Sequence, residues 1–255
     1  MAARDVYCLA ALKDGTWIAA GTYEGYTIVW HAKTLKKFFT HREDLADILG
    51  VDFSPDSTRL VTASKDRTAN VWDVAARQRV LSLDHEDWVM AAKYSPQGDR
   101  VATATAYSVR VWDSNDGCFK LLVDIIVTLT PWYNGGLLWS NNHLFVVSDS
   151  KIRQLEASTG STVSKWLVPD TTSSSCIALL QHGEFIAYST RYTVTFWDTS
   201  TYTRVGLIRH PQSIRSIALS PDDRFLVIGG ISGEIAIRSL SSITVSIVFL
   251  YISRL

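Results

Sequence analysis

Apolar and polar residues alternate with period two along most of the chain, in short runs broken by turn residues. Between Ile48 and Leu83 the runs are ILGVDFS, RLVTAS, TANVWD and QRVLSL. Ser-Pro-Asp-Ser, Lys-Asp-Arg-Thr and Val-Ala-Ala-Arg separate them. Alternation puts every second side chain on one face of a pleated strand, and β-branched and aromatic residues suit that surface. No stretch of ten residues or more carries a 3.6-residue period. The pattern therefore predicts four short antiparallel strands joined by tight turns.

The same phrase recurs. YTIVW, TANVW, SVRVW and TVTFW close at Trp30, Trp72, Trp112 and Trp197, and KIRQL and EIAIR fill the gaps at Leu155 and Arg238. Successive spacings are 42, 40, 43, 42 and 41 residues. Six units follow: Asp5–Thr40, His41–Asp84, His85–Ile125, Ile126–Asp170, Thr171–Ile208 and Arg209–Leu255. One twisted four-stranded sheet cannot bury both faces alone, so each unit needs a neighbour stacked on it. A period of 40–45 residues with four strands per unit is the signature of a propeller blade. In the last unit, SITVSIVFLYISRL is expected to supply the outer strand, over Thr244 to Ser253. It is more apolar than the outer strands of other units, so its open edge calls for a cover.

Trp-Asp pairs stand at 72–73, 112–113 and 197–198, and Ser-Pro turns at 54–55, 95–96 and 220–221. With the period, these pairs make the chain resemble the WD-repeat β-propellers over nearly all of residues 1–255, as one domain. The resemblance implies an all-β propeller of about six four-stranded antiparallel blades, either a complete ring or an incomplete seven-bladed array. It also implies a hydrogen-bonded tetrad inside each blade: a loop His, a strand Ser or Thr, a turn Asp and the strand Trp. By position these are Ser64, Asp66 and Trp72 in the second unit, and His85, Thr105 and Trp112 in the third. Trp30 and Trp197 hold the same strand position in the first and fifth. The set is incomplete. His41 stands three residues too far upstream, which leaves Asp44 in the His slot, and the third unit has no turn Asp. Ser64 and Asp66 beside a His could pass for a catalytic triad, but buried polar groups that satisfy one another are the structural reading.

In such propellers the loops leading into each innermost strand, with the strand 2–3 turns, form an upper face. Carried over by position, that face holds Asp5, Tyr7, Asp47, Trp88, Met90, Ser213 and Arg215. The fourth unit departs from the pattern with TPWYNGG, which places Trp132 and Tyr133 near the same rim. Trp, Tyr, Met and Arg are favoured at binding hot spots.

Charge and cysteine usage narrow the choices. Lys plus Arg is 25 and Asp plus Glu is 25, so the formal net charge is zero. A general nucleic-acid binder needs a basic surplus, so none is expected here. Cys8, Cys118 and Cys176 are too few and too scattered for a disulfide framework, which suits a reducing compartment, cytoplasmic or nuclear. The apolar run ITVSIVFLYI is too short to cross a bilayer as a helix, so membrane insertion is not expected. No two Cys or His residues have zinc spacing, and no phosphate-binding G-x-x-x-x-G-K-[ST] loop occurs, so no metal or cofactor is expected. The leading expectation is a non-catalytic scaffold that binds proteins or peptides on a loop-lined face. The alternative is a sensor region of a larger multidomain protein, such as a signalling NTPase. A propeller hydrolase is the remote third.

Overall fold

The structure is a computed structural model that describes residues 6–12, 14–42, 46–124, 136–148, 151–168, 176–180, 183–220, 222–230 and 232–240. Its 23 described strands run β1 (Val6–Ala11), β2 (Trp17–Thr22), β3 (Tyr26–His31), β4 (Lys37–Arg42), β5 (Ile48–Phe53), β6 (Arg59–Ser64), β7 (Thr68–Asp73), β8 (Gln78–Asp84), β9 (Ala91–Tyr94), β10 (Arg100–Ala104), β11 (Ser108–Asp113), β12 (Phe119–Asp124), β13 (Leu137–Ser140), β14 (His143–Ser148), β15 (Lys151–Glu156), β16 (Thr162–Leu167), β17 (Ile177–Leu180), β18 (Phe185–Ser189), β19 (Thr193–Asp198), β20 (Arg204–Arg209), β21 (Ile214–Leu219), β22 (Phe225–Gly230) and β23 (Ile235–Ser239). They pair consecutively into six sheets, one per repeat. The first five have four strands each, and the described residues of the sixth supply three. The outer strand expected over 244–253 lies outside the described residues. Two compact units result: one holds the first three blades and most of the fourth sheet, the other the fifth and sixth sheets.

The turn chemistry explains the regular hairpins. In the first turn of blade 2, Ser54 Oγ donates to Asp56 Oδ1 at 2.6 Å and accepts from the Arg59 N–H at 2.9 Å. Ser220 repeats this with Asp222 and Phe225 in blade 6, and Ser95 does so with Asp99 and Arg100 in blade 3. The Ser hydroxyl holds Asp56 well below the usual carboxylate range. A second device recurs opposite each strand Trp. The register slips by one residue at Val29/Trp30, Val71/Trp72, Val111/Trp112 and Phe196/Trp197. Such a bulge adds one residue to the outer strand and increases the local twist.

Stacking buries the faces. In the first unit, Cys8, Ala19, Val29 and Phe39 of blade 1 pack with Ile48, Val51, Leu60 and Trp72 of blade 2. Val61, Ala63, Ala69 and Val71 of blade 2 meet Ala92, Tyr94, Val101 and Trp112 of blade 3, and the far face of blade 3 meets Leu137, Leu144 and Leu155. In the second unit, Ala187, Val194 and Phe196 pack with Ile214, Leu226 and Ile228. Each fully buried aliphatic or aromatic side chain contributes about 1.5–3 kcal/mol. Cys8 belongs to this core, and burial pushes its thiol up to about 12.

Candidate functional site

The polar residues inside the blades come first, because they decide whether any chemistry is available there. Trp72 Nε1 donates to Thr62 Oγ1 at 3.1 Å, and Trp112 Nε1 donates to Thr103 Oγ1 at 2.9 Å. The hydroxyls that serve the indoles are thus Thr62 and Thr103, not Ser64 and Thr105 as the spacing suggested. Ser64 and Thr105 sit two residues further on and close the hairpins. Ser64 Oγ accepts from the Asp66 N–H at 3.1 Å, and Thr105 Oγ1 accepts from the Ser108 N–H at 3.1 Å. Asp66 is likewise a turn residue: its Oδ1 accepts from the Thr68 N–H at 2.8 Å and the Thr68 hydroxyl at 2.7 Å. The clue lay in the strand pattern. LVTAS and VATAT each place one Thr in mid-strand between apolar residues, where a buried hydroxyl needs a partner.

His85 completes the blade 3 network. Its Nδ1 lies 3.0 Å from the Leu83 carbonyl, which can only accept, so Nδ1 carries the proton. Nε2 then accepts from the Thr103 hydroxyl at 2.8 Å, and that hydroxyl accepts from Trp112. The neutral ring satisfies every partner. Burial, aided by the Arg110 charge and opposed by the Leu83 carbonyl, pushes the His85 pKa down to about 4. The His41 ring, expected to miss its slot in the second unit, lies on β4 of blade 1 and packs on Trp72 of blade 2 at 4.5 Å between centroids. Asp44 lies outside the described residues. Blades 1 and 5 lack the pair: the positions matching Thr62 hold Ala20 and Tyr188. Trp30 is half-buried, and Trp197 Nε1 turns to Thr195 Oγ1 at 3.0 Å on its own strand.

A pH prediction follows. The unfolded chain protonates His85 near 6.5, whereas the folded chain resists until about 4. Its contribution is fully present above pH 6.5 and is lost as pH falls toward 4, by about 3 kcal/mol. Urea melts of wild type and His85→Gln at pH 7 and pH 4 should show their stability difference shrinking by about that amount. A difference independent of pH would contradict this protonation state.

The rim at the strand 2–3 turns is held by backbone bonds between loops. Lys65 N donates to Asp47 O at 3.0 Å, Val89 N to Ser64 O at 3.0 Å, and Met90 N to Ala104 O at 2.8 Å. These bonds bring the lead-in loops of blades 2 and 3 against the turns 64–68 and 105–108. Lys65 Nζ meets Asp47 Oδ2 at 2.5 Å and lies 4.8 Å from the centre of the Trp88 ring. Trp88 is exposed. Tyr7 stacks on exposed Tyr23 at 5.9 Å, Tyr107 projects from the blade 3 turn, and Arg110 binds Glu86 beside it. Three exposed aromatic rings thus mark this rim: Tyr23 at the blade 1 turn, Trp88 on the blade 3 lead-in loop beside Lys65 of the blade 2 turn, and Tyr107 at the blade 3 turn.

Of the residues assigned to this face by position, Asp47 and Trp88 meet through Lys65, and Tyr7 stacks on Tyr23, all in the first compact unit. Asp47 is mostly buried and anchors Lys65. Met90 is a correction: its backbone already pairs with β10, its side chain turns into the core, and it is buried. Ser213 and exposed Arg215 flank Ile214 at the start of β21 in the second unit, where Ile214 N donates to Arg191 O at 2.7 Å. Asp5, Trp132 and Tyr133 lie outside the described residues. Positional reasoning missed Tyr23, Lys65 and Tyr107, although each sits in a turn within two residues of Thr22, Ser64 or Thr105. At the opposite end of the strands, a polar cleft of about 370 Å³ opens beside Ser95, Asp99, Trp139 and Glu156. Among the described residues no group of three or more His, Cys, Asp or Glu side chains could hold a metal, and no helix is long and apolar enough to cross a membrane.

Comparison with known proteins gives the context. The family model described as "WD domain, G-beta repeat" matches residues 2–31, 32–73, 77–113 and 201–237, more than half of the chain. The U3 small nucleolar RNA-associated protein 15 homolog of Xenopus laevis is 24% identical over 242 residues, covering 91% of this chain and 45% of that protein. The serine-threonine kinase receptor-associated protein of Gallus gallus is 23% identical over 227 residues, covering 88% of this chain and 61% of that one. The chain spans about half the length of the curated relatives it matches over most of its residues. A chain in the crystal structure of the mitotic checkpoint complex aligns with a TM-score of 0.76 at 18% identity, covering 92% of this chain and 74% of that one. That likeness shows the fold, a β-propeller.

Proposed function

The chain belongs to the WD domain, G-beta repeat family, and from that premise we propose that it is a non-catalytic scaffold, its repeats serving as one domain that docks other proteins on the rim of blades 1 to 3. The observation that carries this reading is the set of exposed rings Tyr23, Trp88 and Tyr107 along the rim of blades 1 to 3, on loops bonded to the sheets beneath them. Rigid loops lose little entropy on binding, and exposed aromatics beside a Lys are favoured interface residues. Tyr7 backs Tyr23, and the Asp47–Lys65 pair supports Trp88. In the second unit, Ser213 and Arg215 are proposed as further contacts.

The non-catalytic reading rests on where the polar groups are used. Ser64 and Asp66 are engaged in a hairpin, and His85 is engaged with Thr103. A nucleophile would need access and an oxyanion site. The balanced charge favours protein or peptide partners over nucleic acid, and the widely spaced free thiols suit an intracellular setting. A second reading, a recognition region within a larger protein, is favoured by the share of its relatives that the chain covers.

The test uses the folded triple variant Tyr23→Ser, Trp88→Ser and Tyr107→Ser. A partner captured by the wild-type chain from the native cell is purified and titrated against both forms. Melting should be unchanged, because the three rings are exposed. Affinity should fall at least about 30-fold, the equivalent of one hot spot. Unchanged affinity in the folded variant would refute the rim as the docking surface.

A further inference from the structure

The chain is neutral as a whole, but its charge is not evenly spread. Residues 31–42, the β3–β4 turn and β4 of blade 1, hold Lys33, Lys36, Lys37 and Arg42 and no Asp or Glu. Residues 74–83, the corresponding part of blade 2, hold Arg77 and Arg79 and again no acid. Packing brings the two segments together across the seam. The Arg77 guanidinium lies 4.2 Å from the centre of the Phe38 ring. His41 packs on Trp72, and burial together with the Arg79 charge holds its imidazole below the usual range. Arg79 itself reaches Asn70 Oδ1 at 3.5 Å. Lys37 and Arg79 hold equivalent places, opposite Trp30 and Trp72 across the outer-strand bulge. Lys33, Lys36, Lys37, Arg77 and Arg79 are all exposed. The acids of the neighbouring turns are committed elsewhere: Asp14, Asp56 and Asp73 accept from the backbone N–H groups of Thr16 at 2.8 Å, Thr58 at 3.1 Å and Ala76 at 2.7 Å. Asp14, held below the usual carboxylate range chiefly by the Thr16 hydroxyl, also feels Lys33. Among the described residues none of the five cations forms an ion pair, whereas Lys65, Lys93, Arg100, Arg110 and Lys120 all do.

We propose that Lys33, Lys36, Lys37, Arg77 and Arg79 form a second docking site, at the end of the strands opposite the rim, for an Asp- and Glu-rich segment of a partner protein. Like charges gathered on one surface repel, and carboxylates brought to them relieve that repulsion and steer the encounter. The two guanidiniums are already oriented, one by Phe38 and one by Asn70, and a guanidinium fork matches a carboxylate. The length of the strip points to a short peptide. In blade 3 the place of Lys37 and Arg79 is taken by Phe119, and Lys120 is paired with Asp113 at 3.6 Å. The phosphates of a nucleic acid would run on past blade 2 toward Asp113 and Asp116. The rings that could stack bases, Phe38 and Trp72, are covered by Arg77 and His41. This site rests on charge and the rim on exposed rings, so the two stand independently.

The probe is a fluorescein-labelled peptide of about ten Glu and Asp residues, titrated with the full chain at low salt and read by anisotropy. Two variants remove the site in different ways: Lys33→Gln, Lys36→Gln and Lys37→Gln together, and Arg77→Gln with Arg79→Gln. Melting curves check that both are folded. Each should bind the peptide at least about tenfold more weakly than the parent, because each takes away two or more of the charges that hold it. A control with Arg204→Gln, Arg209→Gln and Arg224→Gln, all exposed in the second unit, lowers the net charge as much as the lysine variant does. It should bind as the parent does, and so should the rim variant Tyr23→Ser, Trp88→Ser and Tyr107→Ser. The peptide with Gln and Asn in place of Glu and Asp should not bind. No measurable binding of the acidic peptide, equal losses in the control, or loss in the rim variant would overturn the proposal. So would a labelled uridine decamer that binds more tightly than the peptide, by assigning the site to nucleic acid.

Discussion

Replacing Trp72 with alanine is expected to cost about 3–5 kcal/mol of folding stability, the largest loss of any single substitution considered for this protein. The indole is 1% exposed. It packs in the seam with Cys8, Val29 and Phe39 of the neighbouring blade, and its N–H is satisfied by Thr62. Truncation therefore removes a large buried surface, opens a cavity between two blades and breaks the hydrogen bond from the indole to Thr62. Two companions separate these effects. Thr62→Val keeps the volume but leaves the indole N–H unpaired, which should cost roughly 1–3 kcal/mol. Asp66→Ala removes only turn bonds at a half-buried site, and should cost about 1 kcal/mol. Urea melts of the three variants give the order directly. A loss for Asp66→Ala above that for Trp72→Ala would contradict the placement of Trp72 in the seam.

Gly21→Val should follow closely, with a loss of about 3 kcal/mol or more. A Cβ at Gly21 would stand 2.4 Å from Ile48 Cγ2 and 2.6 Å from Cys8 Sγ. Both neighbours are buried in the blade 1–2 seam, so neither can swing into solvent. The two blades would have to part along a core already at full packing density. Ile48→Ala removes the nearest methyl, so the double variant should lose clearly less than the sum of the two single losses. Additive losses in a double-mutant cycle would show that Gly21 matters for some reason other than close approach of the blades.

The repeat and its four strands were legible because they rest on local rules. Alternation fixed the strands, Ser-Pro and Asp-Arg turns fixed the hairpins, and the six strand ends from Trp30 to Arg238 fixed the period. What escaped the sequence depended on which way a residue faces at the end of a strand. The Trp partner was placed at Ser64 and Thr105, whereas the indoles reach Thr62 and Thr103. The difference of two residues keeps the same face of the strand, so alternation alone could not separate them. Met90 was placed on the rim because it follows Trp88 in a loop, yet its N–H already pairs with Ala104, which turns its side chain inward. Tyr23 and Tyr107 were passed over because a turn Tyr carries no positional mark. Their exposure depends on how the lead-in loops fold against the turns, through bonds such as Lys65 N to Asp47 O that no spacing rule records.

The central claim is that a protein partner docks on the rim of blades 1 to 3. It is tested most directly by placing a photoreactive phenylalanine at Tyr107, on the rim, and in a separate preparation at Gln97, in an exposed turn at the other end of the same blade. Illumination with the purified partner should give covalent adducts from position 107. Adducts should be absent from position 97, and the position 107 adducts should be lost when Tyr23→Ser and Trp88→Ser are added. Adducts from position 97 but not from 107, or adducts at 107 that survive both substitutions, would contradict it.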